Sequence, residues 1–472
     1  MIKRAFGLTT DLYELTMAAA YFENGIQDSA IFELFVRSLP DHRSFLIAAG
    51  LEQALEYLSE MEFTGDQIAY LREHPAFKHV SRAFFDYLAE FRFTGDVWAM
   101  PEGTAAFGME PLLRVTAPII EAQVVETFLL STINFQTMIA SKAARVVAAA
   151  RGRDVIEFGT RRAHGTEAGL FAARAAYIGG CAGTSNVEAG HLFGIPTFGT
   201  LAHSFVMSFE DEDEAFRAFL KVFPETATIL VDTYNTIAAV RRLASDFGSK
   251  IPAVRLDSGD LCELSKQVRE ILDEGGMTDT KIFASGDLNE YKIAEMIARG
   301  AKIDSFGVGT ELATSHDAPA LGGVYKLAGL EENGHFSGRI KLSHDKATYP
   351  GTKQVWRSTD ESGTYARDLI ALADEPPPSG SWQPVFEQVM RHGRVIGSFA
   401  SDDATAEQPP DTGRAARFAR LKRARDRATQ GLEHFPDSLT ALDATTEYAV
   451  DFSERLKTDR KNLEQQILQS QS

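Results

Sequence analysis

Apolar residues recur three and four apart over Leu12–Phe22, Ser44–Met61 and His79–Phe91, the spacing of one helix face, so residues 1–90 are expected to be mostly helical. The stretch FTGDVWAMPEGTAAFGMEPLLRVTAPI then mixes alternating apolar positions with Gly and Pro breaks and predicts short strands. From Ile120 to Ala150 the chain is dense in Ala and Val, which predicts a long helix packed in a core.

The texture changes near Asp154. Short apolar segments recur, nearly all ending in Gly, Ser, Thr, Asp or His: DVIEFGTRR, GGCAGTSN, IPTFGTLAHS, TILVDTYNT, AVRLDSGD, KIFASGD, IDSFGVGT and GVYKLAG. Helical stretches such as Asp211–Phe223, Cys262–Glu274 and Leu288–Arg299 separate most of them. Strand alternating with helix makes a parallel sheet. Eight strands with polar C-terminal ends predict an α/β fold built on a (β/α) barrel, its site at those ends. An open doubly wound sheet has the same local signature, although no GxGxxG follows any of these strands.

Three regions are expected: an N-terminal α/β domain over 1–150, a barrel domain over 151–357, and a C-terminal segment over 358–472 packing back on the first. Residues 331–400 read as strands with turns, 401–412 as a polar, Pro-containing loop, and Arg414–Arg427 as a basic, solvated surface helix.

Composition narrows the function. A net charge of -18 leaves no general basic face for nucleic acid, yet a local cluster of Arg and backbone N–H groups can still hold small anions. The two cysteines, Cys181 and Cys262, make no disulfide framework and suit a reducing cytoplasm. No apolar run reaches the roughly 20 residues of a membrane span, and the N-terminus does not read as a signal peptide.

The strand ends carry the chemistry. The turns GTSN, FGT, DSGD, ASGD and GVGT let backbone approach a ligand closely, and successive N–H groups form an anion-binding concavity. Without GxxxxGK[ST], a phosphate here is held by something other than a P-loop. Arg161 and Arg162 follow one strand directly. In AVRLDSGD the alternation puts Arg255 and Asp257 on one side, and a guanidinium there suits a carboxylate or phosphate. His203, in FGTLAHSF, fits a structural residue, a base or a phosphoryl acceptor. Asp232, Asp257, Asp260 and Asp287, at other strand ends, suit ribose hydroxyls, Mg²⁺ or the orientation of His203. No HExxH or CxxC spacing points to zinc.

In order along residues 8–357, TDLYELTMAAAYF, FGTRRAHG, GTSNVEAG, GIPTFGTLAHSF, VRLDSGDL, SGDLNEYKI, FGVGTEL and LGGVYKL together resemble the nicotinate phosphoribosyltransferase family. The resemblance implies a type II phosphoribosyltransferase fold, an N-terminal α/β domain against a barrel-like domain, and a homodimer with shared active sites. It implies transfer of ribose-5-phosphate from phosphoribosyl pyrophosphate (PRPP) to nicotinate in NAD salvage, with Mg²⁺ and with ATP as co-substrate. Tyr13 would reach a neighbour's pocket and Phe158 would stack on the pyridine. Arg255 would meet its carboxylate, with Thr200 and Ser185 lining the pocket. Arg161 would meet pyrophosphate and Asp287 the ribose hydroxyls. Ser285, Gly286, Gly309 and Thr310 would cradle the 5-phosphate. His203 matches the histidine that ATP phosphorylates, with the catalytic Asp232 and Asp257 nearby.

Three alternatives are weighed against this. A nicotinamide phosphoribosyltransferase would carry an Asp where Ser185 stands, and an Asp there would repel a carboxylate. A quinolinate enzyme would be much shorter and its site more basic. A non-catalytic phosphate-binding barrel would have lost His203, Arg255 or Asp257, and all three are present.

Overall fold

Six parallel strands carry most of the polar ends: Asp154–Glu157, Gly183–Thr184, Thr228–Leu230, Ala253–Leu256, Lys281–Ala284 and Ser305–Val308. The computed structural model describes residues 5–247, 251–332, 334–342, 348–397, 413–444 and 446–470, so the loop expected at 401–412 lies outside the described residues. Asp154–Glu157 pairs with Gly183–Thr184 on one side and with Ser305–Val308 on the other. First and last strands are thus neighbours, and the remaining pairings join strands consecutive in this series. A doubly wound sheet would reverse its order at a switch point, so this sequential ring is a barrel.

The ring departs from the eight expected strands in two places. IPTFGTLAHS contributes only a single bridge, Thr197 to Thr184, so a strand position is nearly empty beside Thr228–Leu230. The eighth segment, GVYKLAG, lies in the strand Gly323–Glu332, which runs antiparallel to Ser29–Val36 in a different sheet. The barrel strands therefore end at Val308 rather than continuing toward 357.

Among the described residues that second sheet has seven strands, and inside it, between Gly323–Glu332 and Pro111–Pro118, lies Ser29–Val36. This strand corrects the helical reading of residues 1–90. Its sequence SAIFELFV is buried almost throughout, so it shows a continuous apolar run without alternation. Its one charge, Glu33, is ion-paired with buried Lys353 at 2.6 Å. Ser44–Met61 also divides, into the strand Leu46–Ile47 and the helix Leu51–Glu60, the break falling at Gly50 with φ 99°. The long helical run appears as Ile119–Val124 and Glu126–Ala149. Leu129, Ile133 and Met138 pack in the N-terminal core, while Ile139, Ala143 and Val146 pack in the barrel core, so one helix joins both.

The C-terminal segment returns to both. Glu387–Arg391 pairs with Asp96–Ala99 and so extends the seven-stranded sheet. The basic helix, Arg414–Glu433, is not a solvated face: Leu421, Ala424 and Ala428 are buried. Arg417 pairs with Glu56 and Arg420 with Glu52, each at 2.7 Å, while Arg425 and Arg427 donate to the Gly180 and Glu102 carbonyls. These four cations are spent on holding the helix in place.

Candidate active site

Arg255 is the centre of the site. Ala253–Leu256 is flanked by the Thr228–Leu230 and Lys281–Ala284 strands, which brings their C-terminal turns together around one guanidinium. Arg255 Nε donates to Ser285 Oγ at 2.8 Å, one terminal nitrogen to Thr200 Oγ1 at 2.7 Å, and the other to Asp257 Oδ1 at 2.7 Å. Its Cζ lies 6.0 Å from the centre of the Phe158 ring, which in turn packs against Phe283. A guanidinium has five N–H donors, so one on each terminal nitrogen remains, the pair that a carboxylate accepts as a fork.

Asp257 holds this arrangement from beneath. The Ser285 hydroxyl donates to Asp257 Oδ1 as well. Burial favours the neutral acid, but Ser285 and Arg255, with the nearby His203 adding to them, outweigh it and hold the carboxyl below its ordinary range. Asp232 Oδ2 accepts the Asp257 backbone N–H at 3.0 Å and the Ser258 hydroxyl at 2.6 Å. His203 begins the short helix His203–Val206, and its Nδ1 lies 3.2 Å from Thr233 Oγ1. Nε2 has no protein partner among the described residues.

The turn after Lys281–Ala284 is set by close approach. Gly286 has φ 109°, and a Cβ there would sit 2.3 Å from the Asp257 carbonyl oxygen, so only glycine fits. Asp287 follows in the left-handed region at φ 45° and is exposed. Ser285 braces this arrangement: its N–H donates to the Leu256 carbonyl and its hydroxyl to Asp257. Gly309 precedes the helix Thr310–Ala313, beside the Phe158 strand.

Glu157, which the sequence reading passed over, ties two of the loops. It is fully buried, and its carboxylate accepts from the Gly159 N–H and, at 2.6 Å, from the Thr184 hydroxyl. Its backbone carbonyl accepts the Ser185 N–H at 2.9 Å, so Phe158 and Ser185 are anchored to one residue. Burial pushes the Glu157 carboxyl up, against the bonds from Thr184 and Gly159. An acidic residue ending an apolar strand was the available signal.

Other expected residues have no described contact with the Arg255 cluster. Arg161 is exposed on the turn Thr160–Arg162. Tyr13 is exposed on the first helix, Leu12–Glu23, and none of its described contacts reaches the Arg255 cluster. Asp260 caps the helix Leu261–Glu274 and pairs with Arg299, a structural use of that acid.

A family model described as the nicotinate phosphoribosyltransferase (NAPRTase) N-terminal domain matches residues 8–134, and its C-terminal counterpart matches 352–460. Between them, residues 139–319 match the quinolinate phosphoribosyl transferase C-terminal domain model. The likeness thus runs well beyond the motifs that end near 357. The nicotinate phosphoribosyltransferase pncB2 of Mycobacterium tuberculosis is 46% identical over 455 residues, covering 95% of this chain and 92% of that one. That of Bacillus subtilis is 46% identical, covering 79% and 77%. The crystal structure of human nicotinic acid phosphoribosyltransferase superposes with a TM-score of 0.81 at 28% identity, covering 96% and 99%. With such relatives spanning nearly its whole length, the chain belongs to the nicotinate phosphoribosyltransferase family.

Proposed function

We propose that the protein transfers the 5-phosphoribosyl group of PRPP to nicotinate, forming nicotinate mononucleotide and pyrophosphate in NAD salvage. The observation that carries this reading is the Arg255 fork, fixed by Thr200, Ser285 and Asp257 beside the Phe158 ring. A monocarboxylate on a flat aromatic ring matches both features. Ser185, on the Glu157 anchor, adds no negative charge to the pocket.

In this reading the bond from C1 to pyrophosphate breaks as the pyridine nitrogen forms its bond to C1. Arg255 and Phe158 hold that nitrogen in line, and positioning of this kind lowers the barrier by converting a bimolecular step into an effectively unimolecular one. Arg161, exposed near the Phe158 strand, meets the departing pyrophosphate. Asp287 accepts from the ribose hydroxyls, and Gly286, Gly309 and Thr310 cradle the 5-phosphate. Among the described residues no group of three or more acidic, His or Cys side chains is placed to hold a metal ion, and Mg²⁺ would be carried chiefly by the diphosphate. Mg²⁺ bound with the diphosphate would supply charge neutralisation on the leaving group. Asp257, with Oδ1 engaged, keeps Oδ2 for it.

His203 accepts the γ-phosphoryl group of ATP at Nε2 in this reading, and water later takes it as phosphate. Thr233 holds Nδ1, and the Asp257 carboxylate, itself braced by Asp232, lies near the ring. The active form is a homodimer in which Tyr13 completes the neighbouring pocket. The two free, buried thiols, Cys181 and Cys262, fit a cytoplasmic setting, and no helix among the described residues is long and apolar enough to cross a membrane. The test is to supply nicotinate, nicotinamide and quinolinate separately with PRPP and Mg²⁺, with and without ATP. Mononucleotide from nicotinate alone, increased by ATP, is expected; turnover of quinolinate or nicotinamide in its place overturns the reading.

A further inference from the structure

Behind the turns that follow Lys281–Ala284 and Ser305–Val308 lies a buried cluster of charge that the transfer chemistry does not use. Lys142, on the helix Glu126–Ala149, is 1% exposed and ion-paired with Glu290 Oε2 at 2.6 Å and with Asp317 Oδ1 at 2.9 Å. Glu290 opens the helix Glu290–Ala298, three residues after Asp287. The other turn opens the helix Thr310–Ala313, and Asp317 stands four residues beyond that helix. Arg43 grips both oxygens of Asp317 at 2.8 and 3.0 Å, and Arg145 Nε meets Glu290 Oε1 at 3.2 Å. Glu311, 4.0 Å from Lys142, brings three carboxylates against three cations.

We infer that Lys142 is a positioning residue for the ribose 5-phosphate: its single ammonium, held between Glu290 at the start of the helix after the Asp287 turn and Asp317 just past the helix that the Thr310 turn opens, sets the spacing between those two turns. The inference rests on the reading of those turns as the phosphoribosyl cradle. Apolar contact is non-directional and lets packed segments slide by fractions of an ångström, whereas ion pairs at fixed nitrogen–oxygen distances do not. Stability alone does not account for the cluster, since apolar side chains of similar volume commonly stabilise a core as well as buried ion pairs do. Nearby positions of the same helix, Ile139, Ala143 and Val146, are apolar and buried, so the helix already packs without charge there. Burial favours the neutral acid at Asp317, yet Arg43 and Lys142 outweigh it and hold that carboxyl well below its ordinary range. The pairing therefore persists throughout the neutral range.

The test uses two variants of the full chain, Lys142→Met and Asp317→Asn, the second keeping shape and one acceptor oxygen. Steady-state kinetics should show the KM for PRPP raised about tenfold and the KM for nicotinate within about twofold of wild type, since small misplacements of binding groups act selectively on what they hold. Calorimetry with ribose 5-phosphate alone should show a matching loss of affinity. A folded Asp317→Asn protein with unchanged KM for PRPP overturns the inference, as does an equal rise in both KM values. If Lys142→Met fails to fold, Asp317→Asn decides alone. A wild-type protein that makes nicotinate mononucleotide but binds ribose 5-phosphate no better than either variant refutes the positioning role; one that makes no mononucleotide at all refutes the transfer reading instead.

Discussion

Arg255, in the strand Ala253–Leu256, and Asp257, just past its end, point to the same side and meet at 2.7 Å. The pair does two things at once. It offsets the desolvation of a guanidinium that is 11% exposed, and it fixes the plane in which the remaining N–H donors lie. In the proposed reaction the nicotinate carboxylate arrives in that plane, beside the Phe158 ring.

Substrate preference follows from this geometry. Nicotinate should exceed nicotinamide by at least about 100-fold in kcat/KM, roughly 3 kcal/mol, because an amide offers the fork one oxygen and no charge. Ser185→Asp should erode the preference, since it sets a second anion on the loop anchored to Glu157. Competing-substrate kinetics measures both; comparable turnover of the two by the wild type would sink the carboxylate pocket.

Much of this site was legible from the chain. The alternation in AVRLDSGD placed Arg255 and Asp257 together, and the small-residue turns marked the C-terminal face of the barrel. Other features were hidden for physical reasons. Ser29–Val36, buried on both faces, lacks the alternation that marks a half-exposed strand. Gly323–Glu332 has the texture of a barrel strand, and only its partner, Ser29–Val36, assigns it to another sheet. The hydrogen bonds from Ser285 to Leu256 and Asp257 depend on strand register that no local pattern encodes. The arginines of Arg414–Glu433 resembled a solvated face because their partners, Glu52, Glu56 and Glu102, stand more than 300 positions away.

Tyr13 tests the shared site. It is 49% exposed beside Leu12 at 47%, a pair of apolar side chains on the surface of the first helix. Tyr13→Ala should raise the KM for nicotinate about tenfold, the scale of a lost aromatic contact, and leave the melting temperature nearly unchanged. A wild-type monomer that is fully active in sedimentation assays would refute a pocket completed by the neighbour.

Next to Tyr13, Glu14 gives the fold a pH dependence. Burial pushes its carboxyl up to about 7, with Glu126 adding like charge and hydrogen bonds from Tyr13 and Gln123 pulling the other way. The folded value lies above the ordinary 4.5, so the native chain binds this proton more tightly than the unfolded chain. Stability from this group is therefore complete below the unfolded value, declines as pH rises, and levels off above the folded value. Glu14→Gln should remove a decline on the order of 2 kcal/mol between about pH 5 and about pH 8, read from urea midpoints. The same decline in variant and wild type would assign it to other groups.

His203 separates a phosphoryl carrier from a structural histidine. If the ring only fills space beside Thr233, His203→Asn costs stability and ATP stays irrelevant to the reaction. If Nε2 carries the phosphoryl group, incubation with γ-labelled ATP yields a protein-bound label that is acid-labile and base-stable, the mark of a phosphoramidate. His203→Asn should then lose both the label and the ATPase activity, because an amide is no nucleophile here. It should retain ATP-independent transfer, since Arg255, Arg161, Asp287 and Thr310 are untouched and the Arg255 bonds to Thr200, Ser285 and Asp257 do not pass through the ring. In that variant ATP should no longer drive the reaction past its uncoupled equilibrium. Hydrolysis of ATP that still keeps step with mononucleotide formation in His203→Asn would place the phosphoryl acceptor on another residue.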